Sequence, residues 1–144
     1  MLRAGVGFSV QSNPRTAAIE ATKAALKQAG LRIADAALCF AGCGLGGAFP
    51  LLVRTVAETA GTQEIAGCGS IGVIANGREV EKGPSVAVLV FSGDTLRATR
   101  LFVPQLRRRG REAAEEFAKG DPFVLNGVVS RWSVREWMEA LVPE

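Results

Sequence analysis

The spacing of hydrophobic positions in the first forty residues predicts strand, helix and strand in turn. Residues 2–10 alternate loosely between apolar and polar positions, which is typical of a strand. Apolar positions in residues 14–29 recur at helical spacing, with Asn13 as the N-cap and Gly30 as the left-handed stop. A continuous apolar run at residues 36–41 indicates a strand that is buried on both faces.

The same alternation continues through residue 69. Residues 50–60 show a second amphipathic helical pattern that ends at Gly61, and residues 64–69 predict a third short strand. Because short connections join the five elements, we expect right-handed crossovers and a parallel core for this half of the chain.

The pattern then favours antiparallel strands. Residues 72–75 predict a short strand that is closed by the turn pair Asn76-Gly77. Residues 86–91 form the most apolar run of the chain and predict a central strand. We expect residues 96–103 to return beside that strand as the second half of an antiparallel hairpin.

The last part of the chain predicts two further helices. The first spans residues 110–119, and the second begins at Ser133, where Glu136 completes a capping box. Between them, residues 123–129 resemble a strand interrupted by a turn. The chain stops where another parallel strand is expected, so the final helix either closes the fold or ends an incomplete domain.

These elements define a fold class and a domain organisation. We expect an α/β protein with a three-layer-like mixed sheet: a parallel βαβαβ N-terminal half, then an antiparallel hairpin and two further helices. The 144 residues are enough for one domain with a proper core, so residues 1–144 are predicted to form a single domain.

Composition narrows the classes of function. Hydrophobic residues make up 48% of the chain and charged residues 22%, as in ordinary globular proteins. No apolar run approaches the ~20 residues of a membrane span, and the N-terminus lacks the apolar core of a signal peptide, so we expect a cytoplasmic protein without a membrane partner. The net charge is +3, and the arginine cluster at residues 107–111 has no interleaved aromatic residues, which predicts a solvated surface rather than a nucleic-acid site.

The absence of histidine argues against much of enzyme chemistry. The chain contains none, which removes Cys–His and Ser–His dyads and imidazole metal sites. Its three cysteines are odd in number and stand in apolar or glycine surroundings, so free thiols are expected. These observations favour a protein that is not an enzyme and that has no cofactor, no metal and no catalytic residues.

A glycine-rich loop follows the second predicted strand. Residues 42–47 match G-x-G-x-x-G literally and precede a helix, so their N–H groups could approach a phosphate. A dinucleotide site is disfavoured, because the motif follows the second strand, Glu64 stands at a strand start, and Pro50 delays the helix. Close approach of backbone to a small ligand and tight packing against a neighbouring element both stay open.

The loops after the first three strands should converge on one edge of a parallel sheet, where ligands bind. We therefore predict one ligand site there. We expect Cys68 to be a buried small hydrophobe rather than a thiolate nucleophile, and Cys43 and Cys68 are too few to hold a metal. The predicted ligand-binding residues are Ser12, Asn13, Gly42, Cys43, Gly44, Gly46, Cys68, Gly69 and Ser70.

The chain resembles the N-terminal FIST domain, a sensory module of signalling proteins. The matching segments are residues 4–9 before an alanine-rich helix, the strand at 38–40, the glycine-rich segment 65–72 and the run 85–91. The resemblance covers roughly residues 4–103, and more loosely 123–141. It implies a non-enzymatic domain that binds small ligands such as amino acids and passes a signal to attached domains. N-terminal FIST domains are longer than this chain and are typically followed by a C-terminal FIST domain. This chain has neither that length nor a second FIST domain.

Three functions are consistent with these observations. The leading expectation is a small-molecule-binding sensory domain, with a homo-oligomer formed through an unfinished sheet edge. The alternative is an acyl-transfer or hydrolytic enzyme of thiolase-like logic, in which Cys43 or Cys68 is the nucleophile. The third is a structural subunit of an oligomer, in which the glycine loop only packs.

Overall fold

The computed structural model describes residues 1–96 and 106–135 of the chain, which divides into two compact units, residues 1–100 and 101–144. Within those described ranges, no helix is long and apolar enough to cross a membrane. The elements of the first unit are β1 (Arg3–Ser9), α1 (Pro14–Ala29), β2 (Ala36–Ala41), α2 (Phe49–Ala60), β3 (Ile65–Gly69), β4 (Val73–Ala75), β5 (Arg78–Val80) and β6 (Val86–Ser92).

The boundaries of α1 are set by local signals that the sequence predicted. The Asn13 side chain accepts a hydrogen bond from the backbone N–H of Thr16 at 3.0 Å, and Pro14 occupies the first turn. Gly30 ends the helix with a φ of 64°, where its N–H reaches the last carbonyls of the helix. The predicted helix at residues 14–29 is therefore confirmed at both ends.

The main sheet is mixed, and its strand order is β1-β6-β2-β3. β6 runs antiparallel to both β1 and β2 and lies between them, while β2 and β3 pair directly in parallel. The expected mixed α/β sheet is confirmed, but the parallel βαβαβ half is not continuous. β1 and β2 point the same way and never pair, because the apolar β6 takes the central position.

The position of β6 between β1 and β2 also concerns the hairpin that was predicted to pair residues 86–91 with residues 96–103. β1 pairs with β6 along residues 86–92 and β2 pairs with it along residues 86–91, so strands occupy both of its edges. The proposed second strand of the hairpin, at residues 96–103, lies outside the described residues from position 97 onward.

Both long helices of the first unit cover one face of this sheet. α1 lies directly on β1, because Gly5 and Gly7 present bare backbone to it: a Cβ atom at Gly7 would come within 1.8 Å of the Ala21 carbonyl oxygen. The core between helices and sheet is built mostly from small and branched side chains, including Ala18, Ala21, Ala25, Leu52, Val56, Val86, Val88 and Val90.

The β4–β5 hairpin packs on the opposite face. Asn76 (φ 51°) and Gly77 (φ 71°) form its tight turn, as the Asn-Gly pair predicted. Val73 and Ala75 of β4 pack against Ala87 of β6, with the partly buried side chains of Val6, Phe8 and Phe40 around them.

The second unit contains α3 (Leu106–Gly120) and the short α4 (Pro122–Leu125). α3 starts four residues before the predicted residue 110. The strand predicted at residues 123–129 is wrong. Asp121 accepts a hydrogen bond from the Phe123 N–H at 2.7 Å and Pro122 fills the first turn, so a helix starts there instead. Residues 131–135 have no regular structure, and the rest of the final predicted helix lies outside the described residues.

Candidate functional site

The glycine loop joins β2 to α2 through a series of tight turns. The Leu45 N–H donates to the Gly42 carbonyl at 3.3 Å, and the Ala48 N–H donates to the Leu45 carbonyl at 2.9 Å. A 3₁₀ turn at Gly46–Ala48 leads directly into α2. Gly44 has a φ of 85°, a left-handed conformation that favours glycine. The loop is therefore a series of consecutive turns that ends at the first turn of α2.

An open depression lies between this loop and the end of β3. Its volume is about 510 Å³, and it is lined by Gly42, Cys43, Gly44, Gly46, Gly47, Gly69, Ser70 and Ile71. Six of these residues belong to the site expected from the sequence. Gly47 and Ile71 were not included, although Gly47 is the last glycine of the G-x-G-x-x-G match and Ile71 directly follows Ser70.

The parallel pairing of β2 and β3 brings the two loops together. Ala41 and Gly69 lie side by side at the ends of their strands. Beyond them, the Ser70 N–H donates to the Ala41 carbonyl at 2.8 Å, and the Cys43 N–H donates to the Ile71 carbonyl at 3.3 Å. These bonds fix the glycine loop against the segment that follows β3 and form the floor of the depression.

Ser12 and Asn13 are not among the lining residues. The end of β1 at Ser9 is level with Val86 of β6, which in turn is level with Ala41 of β2. Two strand spacings of about 4.8 Å therefore separate β1 from β2, because β6 lies between them. The Asn13 side chain, moreover, is already engaged as the cap of α1.

Cys68 is exposed, so its interpretation as a buried small hydrophobe is wrong. It lies beside Phe40 on β3, which is an edge strand of the sheet in the part of the chain that the structure describes. It does not line the depression, whereas the exposed Cys43 does.

The four glycines of the loop occupy their positions for different structural reasons. Gly42 is fixed by packing, because a Cβ atom there would lie 2.0 Å from the Ser85 Oγ, which is fully buried and has no hydrogen-bond partner. Gly44 is fixed by its backbone conformation. Gly46 and Gly47 have neither reason: no atom lies within 4 Å of a Cβ built on either, and neither has a positive φ. Their bare backbone faces open space.

Backbone donors are unused at the same place. Within the described part of the chain, the N–H groups of Gly44, Gly46 and Gly47 donate to no acceptor. Ala48 at the N-cap of α2 makes no side-chain bond, and no acidic residue stands in the first turn. The positive end of this helix is therefore not compensated by the protein itself.

A second depression continues from the first. Its volume is about 590 Å³, it shares Cys43 and Ile71 with the first, and it also contains the charged residues Glu79, Glu81 and Lys82 of β5 and the following turn. One end of the combined surface thus carries unpaired backbone N–H groups, and the other carries two carboxylates and the Lys82 ammonium group.

Two observations bear on metal and thiol chemistry in the first unit. In the described ranges, no group of three or more cysteine, aspartate, glutamate or histidine side chains could hold a metal ion. Cys39 is buried in β2, and desolvation raises the pKa of its thiol from 9.0 to about 11, which keeps it protonated and inert at neutral pH.

Comparisons with known proteins leave the family open. No protein-family model and no curated protein sequence matches the chain. Among solved structures, CetZ2 from Haloferax volcanii in a GTPgS-bound protofilament matches with 21% identity and a TM-score of 0.38, over 79% of this chain and 35% of that chain. The chain thus spans about a third of that protein, and a superposition this loose supports no conclusion.

Proposed function

We propose that this chain is a small-molecule-binding sensory domain whose ligand is an amino acid or a similar metabolite. The observation that carries the proposal is the bare, unpaired backbone at Gly46 and Gly47. Packing and φ account for Gly42 and Gly44, and neither accounts for this pair. A ligand that approaches the backbone closely requires the absence of side chains there.

The chemistry of the surface suits a zwitterion. A carboxylate would accept hydrogen bonds from the N–H groups of Gly44, Gly46 and Gly47, and the positive end of α2 would favour its charge. Glu79 and Glu81 in the adjoining depression would attract an ammonium group. The first depression, at about 510 Å³, lies within the usual range of ~300–1,000 Å³ for small-molecule sites.

The sensory part of the proposal comes from the resemblance to N-terminal FIST domains. In such a domain, ligand binding is the input and attached domains carry the output. Binding alone is enough to change the free energy of the bound conformation, because a ligand stabilises whichever state it prefers. A domain of this kind needs no catalytic residues.

Thermal unfolding tests the ligand class. We expect one or more of the twenty free amino acids to raise the Tm of the full chain; at a hundred times the Kd, linkage gives about 2.7 kcal/mol, or roughly 5–10 °C for a domain of this size. The Gly46→Ala, Gly47→Ala double variant should fold normally, since both added methyl groups point into open space, and should lose the ligand-induced shift.

Gly110→Ala is the matched control, because it also adds a methyl group in open space and should keep the full shift. A panel of amino acids and related carboxylates that leaves the wild-type Tm unchanged would contradict the proposal. So would a double variant that responds to the ligand as the wild type does.

The position of Cys43 keeps thiol chemistry as a second candidate. Its side chain is exposed and lines both depressions, so a bound acyl group could meet it. Alkylation of the native chain at neutral pH, followed by peptide mass analysis, separates the two functions. A Cys43 that reacts at least tenfold faster than the exposed Cys68 supports the enzyme, whereas equal, ordinary rates favour the binding domain.

A further inference from the structure

The two edges of the main sheet differ in how they are protected. On the outer edge of β1, the Gln28 side chain accepts a hydrogen bond from the Val6 N–H, and the Asn76 side chain donates one to the Val6 carbonyl. The Arg3 guanidinium on the same strand donates to the Gly30 carbonyl at 3.1 Å. Side-chain bonds and a charge therefore block this edge against further strands.

Among the described residues, no side chain makes a comparable hydrogen bond to the outer edge of β3. Toward β2, the Glu64 carbonyl accepts from the Ala37 N–H at 2.9 Å, and the Ser70 N–H donates to the Ala41 carbonyl at 2.8 Å. Since backbone groups of alternate residues point to the same side of a strand, residues 64, 66, 68 and 70 face β2. The backbone groups of residues 65, 67 and 69 consequently face outward.

These outward groups have few partners. The Ile65 N–H donates to the Gln63 carbonyl at 3.0 Å. Within residues 1–96 and 106–135, the N–H groups of Gly67 and Gly69 and the three outward carbonyl groups have no partner and can pair with an incoming strand. Residues 66–71 are all exposed, and the sequence has no charge and no proline from Ile65 to Gly77. An open, neutral edge of this kind is the usual template for strand addition.

We propose that β3 pairs antiparallel with β3 of a second copy of this chain, about a two-fold axis at Gly67. In this register, Gly67 of each copy exchanges two hydrogen bonds with Gly67 of the other. Each Gly69 N–H donates to the Ile65 carbonyl across the interface, so the outward N–H groups at positions 67 and 69 all find acceptors. The two four-stranded sheets become one sheet of eight strands.

A second copy suits this edge because the edge is complementary to itself. The register sets Ala66 opposite Cys68 in both halves of the dimer, and small side chains at the glycine-rich join let the strands approach without obstruction. Ala66 and Cys68 lie on the same face as Leu38, Phe40 and Leu89, so pairing continues one apolar sheet face across the axis. A charged or bulky peptide would gain none of these contacts.

The small area that this pairing buries predicts a weak dimer. Pairing of two five-residue strands buries well under the ~800 Å² per partner of a standard interface, so the dimer should be reversible and concentration-dependent. Gly69 belongs both to this edge and to the lining of the depression, whereas Gly46 and Gly47, which carry the proposed ligand contacts, are not part of β3. The two proposals are therefore tested by different variants.

Sedimentation velocity of the full chain at roughly 1–200 µM tests the association, which should pass from monomer to dimer across that range by mass action. Ala66→Lys should weaken it at least tenfold, because it places a charge on the open edge. Ala4→Lys is the matched control: Ala4 is exposed on the same sheet face but on the blocked edge at β1, and its replacement should leave the dimer unchanged.

Disulfide trapping tests the register. Directly opposed residues that are not hydrogen-bonded have Cα atoms about 4.5 Å apart, within disulfide reach. The variant Ala66→Cys, Cys43→Ser should therefore form a covalent dimer through Cys68 of the second copy under mild oxidation, whereas adding Cys68→Ser should abolish it. A chain that stays monomeric at 200 µM, or cross-linking that does not depend on Cys68, would overturn the proposal.

Discussion

Cys39 and Cys68 show how two cysteines a strand apart acquire opposite properties. Cys39 lies on β2 between β6 and β3, under the two helices, and its exposed fraction is 0%. Cys68 lies on the neighbouring strand β3 and points to the other face of the sheet. Strand alternation and the edge position of β3 together therefore expose the Cys68 thiol, while Cys39 stays buried.

The raised pKa of Cys39 predicts a loss of stability at high pH. The thiol ionises near 9.0 when the chain is unfolded and near 11 when it is folded, so unfolding releases a proton between these values. The contribution of this thiol to the free energy of unfolding should be fully present below pH 9. It should fall by about 2–3 kcal/mol as pH rises to 11, at about 1.4 kcal/mol per pH unit.

Urea denaturation at pH 8, 9, 10 and 11 measures this effect, and Cys39→Ala provides the control. The variant loses packing at every pH, but the part of the slope that comes from the thiol should disappear. A wild type and variant with parallel profiles from pH 9 to 11 would show that another group is responsible.

The burial of Cys39 could be predicted from the sequence, and the exposure of Cys68 could not. The apolar run around Cys39 has the composition of a central strand, which local pattern reveals. Whether residues 65–69 form a central or an edge strand depends on what pairs beyond them, and no local pattern carries that information. The lack of histidine favours an inert, buried Cys68 over a nucleophile, and that argument says nothing about the position of its strand in the sheet.

At the scale of elements, the contact between α1 and β1 depends on two glycines. Gly5 and Gly7 stand opposite the carbonyls of Ala25 and Ala21, which would lie 2.2 and 1.8 Å from added Cβ atoms. The alanines that α1 buries let its backbone come this close to the strand. Helix and strand thus touch backbone to backbone, without a layer of large side chains between them.

Gly7→Ala should consequently destabilise the fold by about 3 kcal/mol or more, because α1 must move away from the sheet and leave its small core residues loosely packed. The free energy of unfolding from urea titration measures the loss. Gly46→Ala, which adds the same methyl group in open space, should change it by less than about 0.5 kcal/mol. Similar values for the two variants would mean that α1 adjusts at little cost.

Elements with local signals were predictable, and elements defined by distant pairing were not. The cap at Asn13, the stop at Gly30 and the Asn76-Gly77 turn each depend on a few adjacent residues, and all three are confirmed. Residues 123–129 resemble a strand interrupted by a turn, although Asp121 and Pro122 form a helix start.

At the scale of the whole first unit, Asn76 connects the two sheets. It occupies the turn of the β4–β5 hairpin with a φ of 51°, and its side-chain N–H donates to the Val6 carbonyl of β1 at 3.2 Å. One residue thus closes the hairpin and blocks the edge of the main sheet.

Two substitutions separate these contributions. Asn76→Gly keeps the left-handed conformation and loses the hydrogen bond, which should cost about 1 kcal/mol of unfolding free energy. Asn76→Ala should cost about 1–2 kcal/mol more, because alanine is strained at positive φ. Chemical denaturation compares the two; a glycine variant as stable as the wild type would show that the bond to β1 contributes nothing.

The location of the depression was largely predictable, because the loops that follow parallel strands lie at one edge of a sheet. Ser12 and Asn13 were assigned to it on the assumption that β1 and β2 are neighbours. The strand that separates them comes from residues 86–92, far along the chain, and hydrophobicity alone marks it as central without showing which strands flank it.

That late central strand has a consequence for folding during synthesis. When β2 leaves the ribosome, its partner on one side is still about 45 residues away, which corresponds to roughly 2–9 s of translation. During this interval β1 and β2 run in the same direction, and the edges that will later pair with β6 are free. If the two strands paired directly with each other, β6 could not insert between them. The nascent chain must therefore keep the two strands apart until Ser92 has emerged, or reopen a misregistered sheet afterwards.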